Sequence, residues 1–182
     1  MAKKAAKRAE IIAKLAVHFL SSGLDDTGLR RLAEVAGTSD RMLLYYFENK
    51  DELVLCVLDH IGAGLSVEMA RRFGQDRKRP AELVEALWGL VKDPFTADQV
   101  RLWLDLSSRA SRNDPLFQAV AEAVSENWIK EIAALLDVEK SEQRPLAILI
   151  MAAVDGQLFL FPNAPEKGDE AIARLIHMLE PY

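Results

Sequence analysis

The residues of this chain best equipped for chemistry form a short run of donors: Thr38, Ser39, Arg41, Tyr45 and Tyr46, with Asp40 among them. The planar fork of Arg41 matches the O6 and N7 atoms of guanine, and it pairs equally well with a phosphate. The hydroxyls of Thr38 and Ser39 can cap a helix and touch a phosphate backbone at the same time. Asp40 either satisfies the start of a helix or accepts from a cytosine amine. Tyr45 and Tyr46 are adjacent, so on a helix they point about 100° apart. Tyr45 is the better phosphate partner and Tyr46 packs partly inward, unless both only pack. Upstream, Lys3, Lys4, Lys7 and Arg8 form a basic arm that touches a nucleic-acid backbone or minor groove, or stays solvated. These groups bind a polyanion; none of them is arranged to break a bond.

Such donors act only if something holds them at one angle. Residues Leu29 to Glu48, LRRLAEVAGTSDRMLLYYFE, read as a helix-turn-helix. Leu29, Leu32, Ala33 and Ala36 recur at helical spacing and give a first helix one apolar face. Ala33 is small where two crossing helices approach. Gly37 ends that helix, because glycine takes the left-handed stop cheaply. Ser39 caps a second helix, with Met42, Leu43 and Tyr46 on its inner face. Thr27 is the expected N-cap of the first motif helix, compatible with a backbone contact. In FENKDEL, Asn49 caps and Glu52 reaches back as in a capping box, so a longer helix starts at once.

Charge is divided along the chain. The whole carries 23 Lys and Arg against 28 Asp and Glu, a net charge of −5. Residues 1 to 50 hold nine basic and six acidic side chains, a balance of +3, and the remainder holds 14 and 22, a balance of −8. A basic reader joined to an acidic body fits that asymmetry. His18, His60 and His177 are scattered without metal spacing, and the Gly62–Gly64 segment lacks the third glycine of a phosphate-cradling loop. No metal, cofactor or enzymatic activity is expected. Cys56 is the single cysteine; among Leu53, Val54, Val57 and Leu58 it reads as a buried thiol. The start of the chain lacks the pattern of a signal peptide. The longest apolar run, Leu146 to Phe161, contains Asp155 and Gln157 and is short for a bilayer. A cytoplasmic protein without membrane contact is expected.

The whole pattern is helical. A first helix runs from about Ala5 to Ser21, with Ile12, Leu15, Ala16 and Phe19 inward and Gly23 as its stop. The two motif helices follow. A fourth runs from Lys50 past Ala70, with Gly62 and Gly64 weakening its middle. Residues 71 to 80 read as a polar loop. Five more helices span about Pro80–Lys92, Ala97–Arg112, Pro115–Asp137, Glu142–Phe161 and a last segment ending near Glu180. Arg101, Asp105 and Arg109 recur every four residues and read as a solvated ion-pair stripe.

The segments IIAKLAVHFLSSG, Thr27, LRRLAEVAGTS and YFENKDEL, within residues 8 to 55, resemble the TetR family of transcriptional regulators. WLDLSSRASRNDPLF and AAVDGQLFLF add weaker likeness. Leu44 stands where the family most often has tyrosine, Gly28 where Ser or Thr is common, and Thr38 where Val is usual. The resemblance implies that Lys50 donates to a phosphate. It also implies that the last two helices pair with those of a second copy through Leu158, Ile172, Leu175, Ile176 and Leu179. A two-fold homodimer then matches the two half-sites of a pseudo-palindromic double-stranded operator. The helices between enclose a small-molecule cavity in the family, with Trp88, Trp103, Phe117, Trp128, Met151 and Asp155 as candidate lining here.

The expected fold is therefore all-α. It comprises an N-terminal three-helix DNA-binding domain with a helix-turn-helix, residues 1–49, and a C-terminal helical ligand-binding and dimerisation domain, residues 50–182, about nine helices in all. The expected function is that of a bacterial, sequence-specific transcriptional regulator, a repressor released by a small ligand. The competing readings are a helical protein-interaction module and an enzyme without DNA binding.

Overall fold

The computed structural model describes residues 2–25, 27–74 and 76–182. Its elements are α1 (Ala2–Ser22), α2 (Leu29–Ala36), α3 (Asp40–Tyr46), α4 (Lys50–Phe73), α5 (Pro80–Lys92), α6 (Ala97–Ala110), α7 (Pro115–Leu135), α8 (Lys140–Leu160), a 3-10 turn (Pro165–Gly168) and α9 (Asp169–Leu179). Helices form two compact units interleaved in sequence. The first comprises Met1–Val67 with Asp98–Ala121, and the second Glu68–Ala97 with Glu122–Tyr182. Compactness thus divides the chain differently from residues 1–49 and 50–182, because α6 and most of α4 pack with the N-terminal helices.

In the first unit, α1 buries Ile11, Leu15, Ala16 and Phe19. Ile11 takes the inward place expected of Ile12, which is half-buried. Residues 11, 15 and 19 stay on one line of the helix, and position 12 is turned about 100° from it. Gly23, at φ 71°, stops α1. The turn between α2 and α3 closes as a Schellman-type stop. Gly37 sits at φ 68°, and the N–H groups of Gly37 and Thr38 donate to Glu34 O and Ala33 O at 3.1 and 2.9 Å. Asn49 Oδ1 accepts from Glu52 N–H at 2.8 Å. The Glu52 carboxylate returns to the N–H of Glu48, one residue before the cap.

α4 is longer than its glycines suggest. Glu68 holds Arg71 and Arg72 at 2.7 and 2.5 Å. These i,i+3 and i,i+4 pairs carry the helix to Phe73 before Gly74 (φ 67°) ends it. The expected loop at 71–80 is shortened by those residues; Gln75 within it lies outside the described residues. Among the described residues, α4, rather than the run 146–161, is the helix long and apolar enough by length and composition to cross a membrane. Its Leu53, Val54, Val57 and Leu58 are buried in the first unit.

In the second unit, α5 packs against α8 and α9 with Leu83, Val84, Leu87 and Leu90 inward. Trp88 Nε1 donates to Asp169 Oδ1 at 2.6 Å. Gly168 is required beside them: a Cβ there would lie 2.9 Å from Gln157 Cβ and 3.0 Å from Trp88 Cη2.

Candidate nucleic-acid interface

α3 has seven residues, too few to hold its own shape in water. Its neighbours hold it. Ser39 Oγ accepts from Met42 N–H at 3.3 Å, and Leu43 and Phe47 are buried. α1 then supplies a cation to the last carbonyl of each motif helix. Lys14 Nζ donates to Ala36 O at 3.4 Å, and Arg8 Nη1 donates to Tyr46 O at 2.7 Å. A cation at a helix C-terminus offsets the negative end of the helix dipole.

Arg8 is therefore no part of a free arm. Its Nη2 pairs with Glu52 Oε1 at 2.5 Å and reaches Cys56 Sγ at 3.2 Å, and its guanidinium carbon lies 4.4 Å from the centre of the Phe47 ring. The hydrogen bond from Arg8, followed by that from Glu48 N–H, holds the Glu52 carboxyl below its usual range; Glu52 in turn raises Arg8. Cys56, expected to be buried, is half-buried, with the Arg8 guanidinium against its sulfur.

With Leu43 inward, the 100° step per residue turns Arg41, Leu44 and Tyr45 outward. Leu44 is 49 % exposed and Tyr45 58 % exposed. Met42, expected on the inner face, is 38 % exposed, since it lies on the flank of the stripe that Leu43 and Phe47 define. Tyr46 is half-buried. Arg41 is exposed and, among the described residues, has no carboxylate partner. Ser39 and Asp40 are exposed and Thr38 half-buried at the same end of α3. Lys50 is exposed, with Asp51 4.0 Å away. Thr27 is not the N-cap of α2. That position is Gly28, extended at φ −63° and ψ 137°, because α2 begins one residue later than a Thr27 cap would require.

Lys4 Nζ lies 4.6 Å from the centre of the Tyr45 ring, and Tyr45 meets Tyr46 edge-on at 5.1 Å. A groove of about 610 Å³ runs here, lined by Lys3, Lys4, Lys7, Glu10, Tyr45 and Tyr46. Glu10 is held by Lys7 and Lys14, which keep its carboxyl ionised below the usual range. The groove thus has three ammonium groups and two phenols around one already neutralised carboxylate, a lining suited to a phosphate backbone.

Other expected site residues are dispersed. Trp103 and Phe117 belong to the first unit; Trp88, Trp128, Met151 and Asp155 belong to the second. Trp88 is 5 % exposed with its indole N–H bonded to Asp169, and Phe117 is buried beneath the Arg109 guanidinium at 5.6 Å. Trp103, Trp128, Met151 and Asp155 are half-buried. Of the expected interface residues, Leu158, Ile172 and Leu179 are buried within the single chain. Leu175 and Ile176 are half-buried. The exposed apolar side chains nearby are Ile148, Leu149, Phe159, Leu160 and Met178.

Two features were not legible from spacing. Asp105 Oδ2 accepts from Leu24 N–H at 2.7 Å, its Oδ1 holds Arg109 Nε at 2.9 Å, and Arg109 Nη2 reaches Asp25 at 2.5 Å. Of the stripe expected to be solvated, Arg101 stays exposed beside Asp98, while Asp105 and Arg109 fasten α6 to the turn that precedes the motif; the i,i+4 spacing reveals the pair but not its third partner. In the second unit, Glu131 Oε2 is buried without a hydrogen-bond partner among the described residues, while its Oε1 accepts from Asn127 at 2.8 Å.

Residues 11–57 match the bacterial regulatory proteins, tetR family. Over 188 residues the chain is 28 % identical to the HTH-type transcriptional repressor AcnR of Corynebacterium glutamicum, covering 95 % of this chain and 90 % of that protein. A transcriptional regulator from Rhodococcus sp. Rha1 has the same fold at TM-score 0.72 and 22 % identity, over 94 % of this chain and 95 % of that one. The multidrug binding protein EbrR, solved with proflavin, follows at TM-score 0.65 and 21 % identity, over 93 % and 99 %.

Proposed function

Because the chain belongs to the tetR family of bacterial transcriptional regulators, we propose that it is a cytoplasmic, homodimeric repressor whose α3 enters the major groove of a pseudo-palindromic operator. One observation carries this reading: α3 is clamped from α1 by Arg8 and presents Arg41 outward, without a carboxylate partner among the described residues. Arg41 pairs with a guanine edge, while Lys4, Lys7, Tyr45 and Lys50 follow the phosphates and Thr27, Thr38, Ser39 and Asp40 flank them. Selection of duplexes from a random pool by the full chain tests it. Enrichment of two inverted half-sites about one helical turn apart supports the reading; no enrichment at low salt defeats it.

The dimer face is assigned to α8 and α9. Ile148, Leu149, Phe159 and Leu160 lie within about 120° of one another around α8, with Ala152 and Gly156 between them. Leu175, Ile176 and Met178 contribute from α9. An exposed apolar face of this kind needs a partner. AcnR is a repressor and EbrR a multidrug binder, which supports a small-molecule effector here as well. Within the second unit, half-buried Trp128, Met151 and Asp155 are the proposed contacts. The Glu131 oxygen that lacks a partner among the described residues, one helical turn from Trp128 on α7, favours an effector with a hydrogen-bond donor or a cation. A hundredfold release of DNA requires about 2.7 kcal/mol of preference for the DNA-incompetent state. A compound that stabilises the protein yet leaves operator affinity unchanged is not that effector; if every stabilising compound behaves so, the effector proposal fails.

A further inference from the structure

The outward face of α3 carries an apolar group that neither folding nor phosphate binding accounts for. Taking Arg41 as the centre, a 100° step per residue places Tyr45 about 40° to one side, Leu44 about 60° to the other, and Met42 about 100° away on the Tyr45 side. Tyr45 is committed to its own flank, where Lys4 stacks on its ring and Lys3 and Lys7 line the adjoining groove. That flank is cationic and aromatic and suits a strand's phosphates. Leu44 stands on the opposite side of Arg41, 49 % exposed. Leu43 and Phe47 already supply the buried contacts of this turn, so the packing of α3 does not need Leu44.

We propose that Leu44 is a specificity-determining residue that packs against the C5 methyl group of a thymine in the operator major groove. The inference rests on the DNA-binding reading above. In the major groove the thymine methyl is the apolar group displayed on a base edge, and a leucine has no hydrogen bond to offer the other edges. The placement also sets where that thymine lies. Arg41 and Leu44 are i and i+3 on one helix, about 5–6 Å apart at Cβ, and base pairs are stacked about 3.4 Å apart along the duplex axis. The thymine therefore lies one or two base pairs from the guanine that Arg41 reads. Each half-site combines a guanine and a nearby thymine, read by a fork and a hydrocarbon side by side.

The test deletes the methyl group alone. The full chain first selects its operator from a random pool, and each dT of one half-site is then replaced in turn by dU, which differs only in lacking the C5 methyl. For the wild-type chain, dU at a single position close to the Arg41-dependent guanine weakens binding about fourfold, the worth of one buried carbon. Leu44→Ala, which alters an exposed side chain, binds the dT and dU duplexes equally, while Met42→Ala keeps the wild-type sensitivity. Circular dichroism and thermal melting check that both variants are folded. The inference is overturned if wild-type chain tolerates dU at every position, if Leu44→Ala retains the full dU effect, or if Met42→Ala abolishes it. A chain that selects no duplex overturns the DNA-binding reading itself, a result distinct from these three.

Discussion

Arg8 Nη1 stands 2.7 Å from the carbonyl oxygen of Tyr46, the last residue of α3. The same guanidinium pairs with Glu52 in the first turn of α4 and covers the Phe47 ring. One side chain of α1 therefore fixes the end of the recognition helix, the start of the next helix and the aromatic residue between them. Lys14 makes the parallel contact to Ala36 at the end of α2. The orientation of α3 is inherited from α1.

Arg8→Ala is expected to cost about 1–3 kcal/mol of stability, as for loss of a charge-assisted bond together with its packing. Affinity for the operator falls more than affinity for random duplex, because α3 loses its fixed angle while the surface cations remain. Arg8→Lys recovers little, since an ammonium cannot serve Tyr46 O and Glu52 with one planar fork. Urea denaturation and competition binding separate the two effects; equal loss for operator and random duplex would count against a positioning role.

Arg41→Ala is expected to lose about 1–3 kcal/mol at the operator and to relax preference at one base of each half-site. Lys4→Ala weakens all duplexes alike and lowers the slope of log affinity against log salt by about one for each phosphate no longer neutralised. A salt titration on both variants distinguishes base reading from phosphate binding. An unchanged base preference in Arg41→Ala would move that residue to the phosphate class.

Acid should loosen the clamp. The Glu52 carboxyl titrates below the usual 4.5 in the folded chain because Arg8, and then Glu48 N–H, bond to its ionised form. A depressed carboxyl contributes stability that is present above the unfolded-state value and is lost as pH falls through the folded one. Stability should therefore drop below about pH 4.5 with a steeper slope in wild type than in Glu52→Gln. Parallel slopes in denaturant midpoints between pH 3 and 6 would show that this pair carries no linkage.

Asp105→Ala removes the acceptor of Leu24 N–H and one partner of Arg109. A loss of about 1–3 kcal/mol is expected for an unpaired, partly buried donor. Asp105→Asn keeps an acceptor for Leu24 and should recover more than half of it. Equal destabilisation by both variants would place the contribution in the Arg109 ion pair instead.

Phe159→Glu and Leu149→Glu alter side chains exposed on the single chain. Each should leave the melting of the isolated fold intact and shift the protein from dimer to monomer, because an unpaired carboxylate in an apolar interface is costly. Sedimentation at micromolar concentration reads the result. Dimers that persist in both variants would exclude this face.

Several features follow from the chain by local rules alone. The left-handed stop at Gly37, the Ser39 cap, the Asn49 and Glu52 box and the start of α5 at Pro80 each depend on residues within one helical turn, so sequence suffices to locate them. The all-helical character follows from apolar spacing, and the motif they build was legible for the same reason. Tertiary structure decided what depends on residues far apart in the chain. Arg8 and Tyr46 are separated by 38 positions and Leu24 and Asp105 by 81, and no periodicity links them. The same holds for Thr27, displaced from its cap by a one-residue shift in the start of α2, and for Ile172 and Leu179, whose helical stripe announces burial without saying against what. A stripe can face its own core or a second copy. In α9 only Ile172 and Leu179 of the stripe are buried within the single chain, while Leu175 and Ile176 stay half-buried and Ile148, Leu149, Phe159 and Leu160 of α8 are exposed.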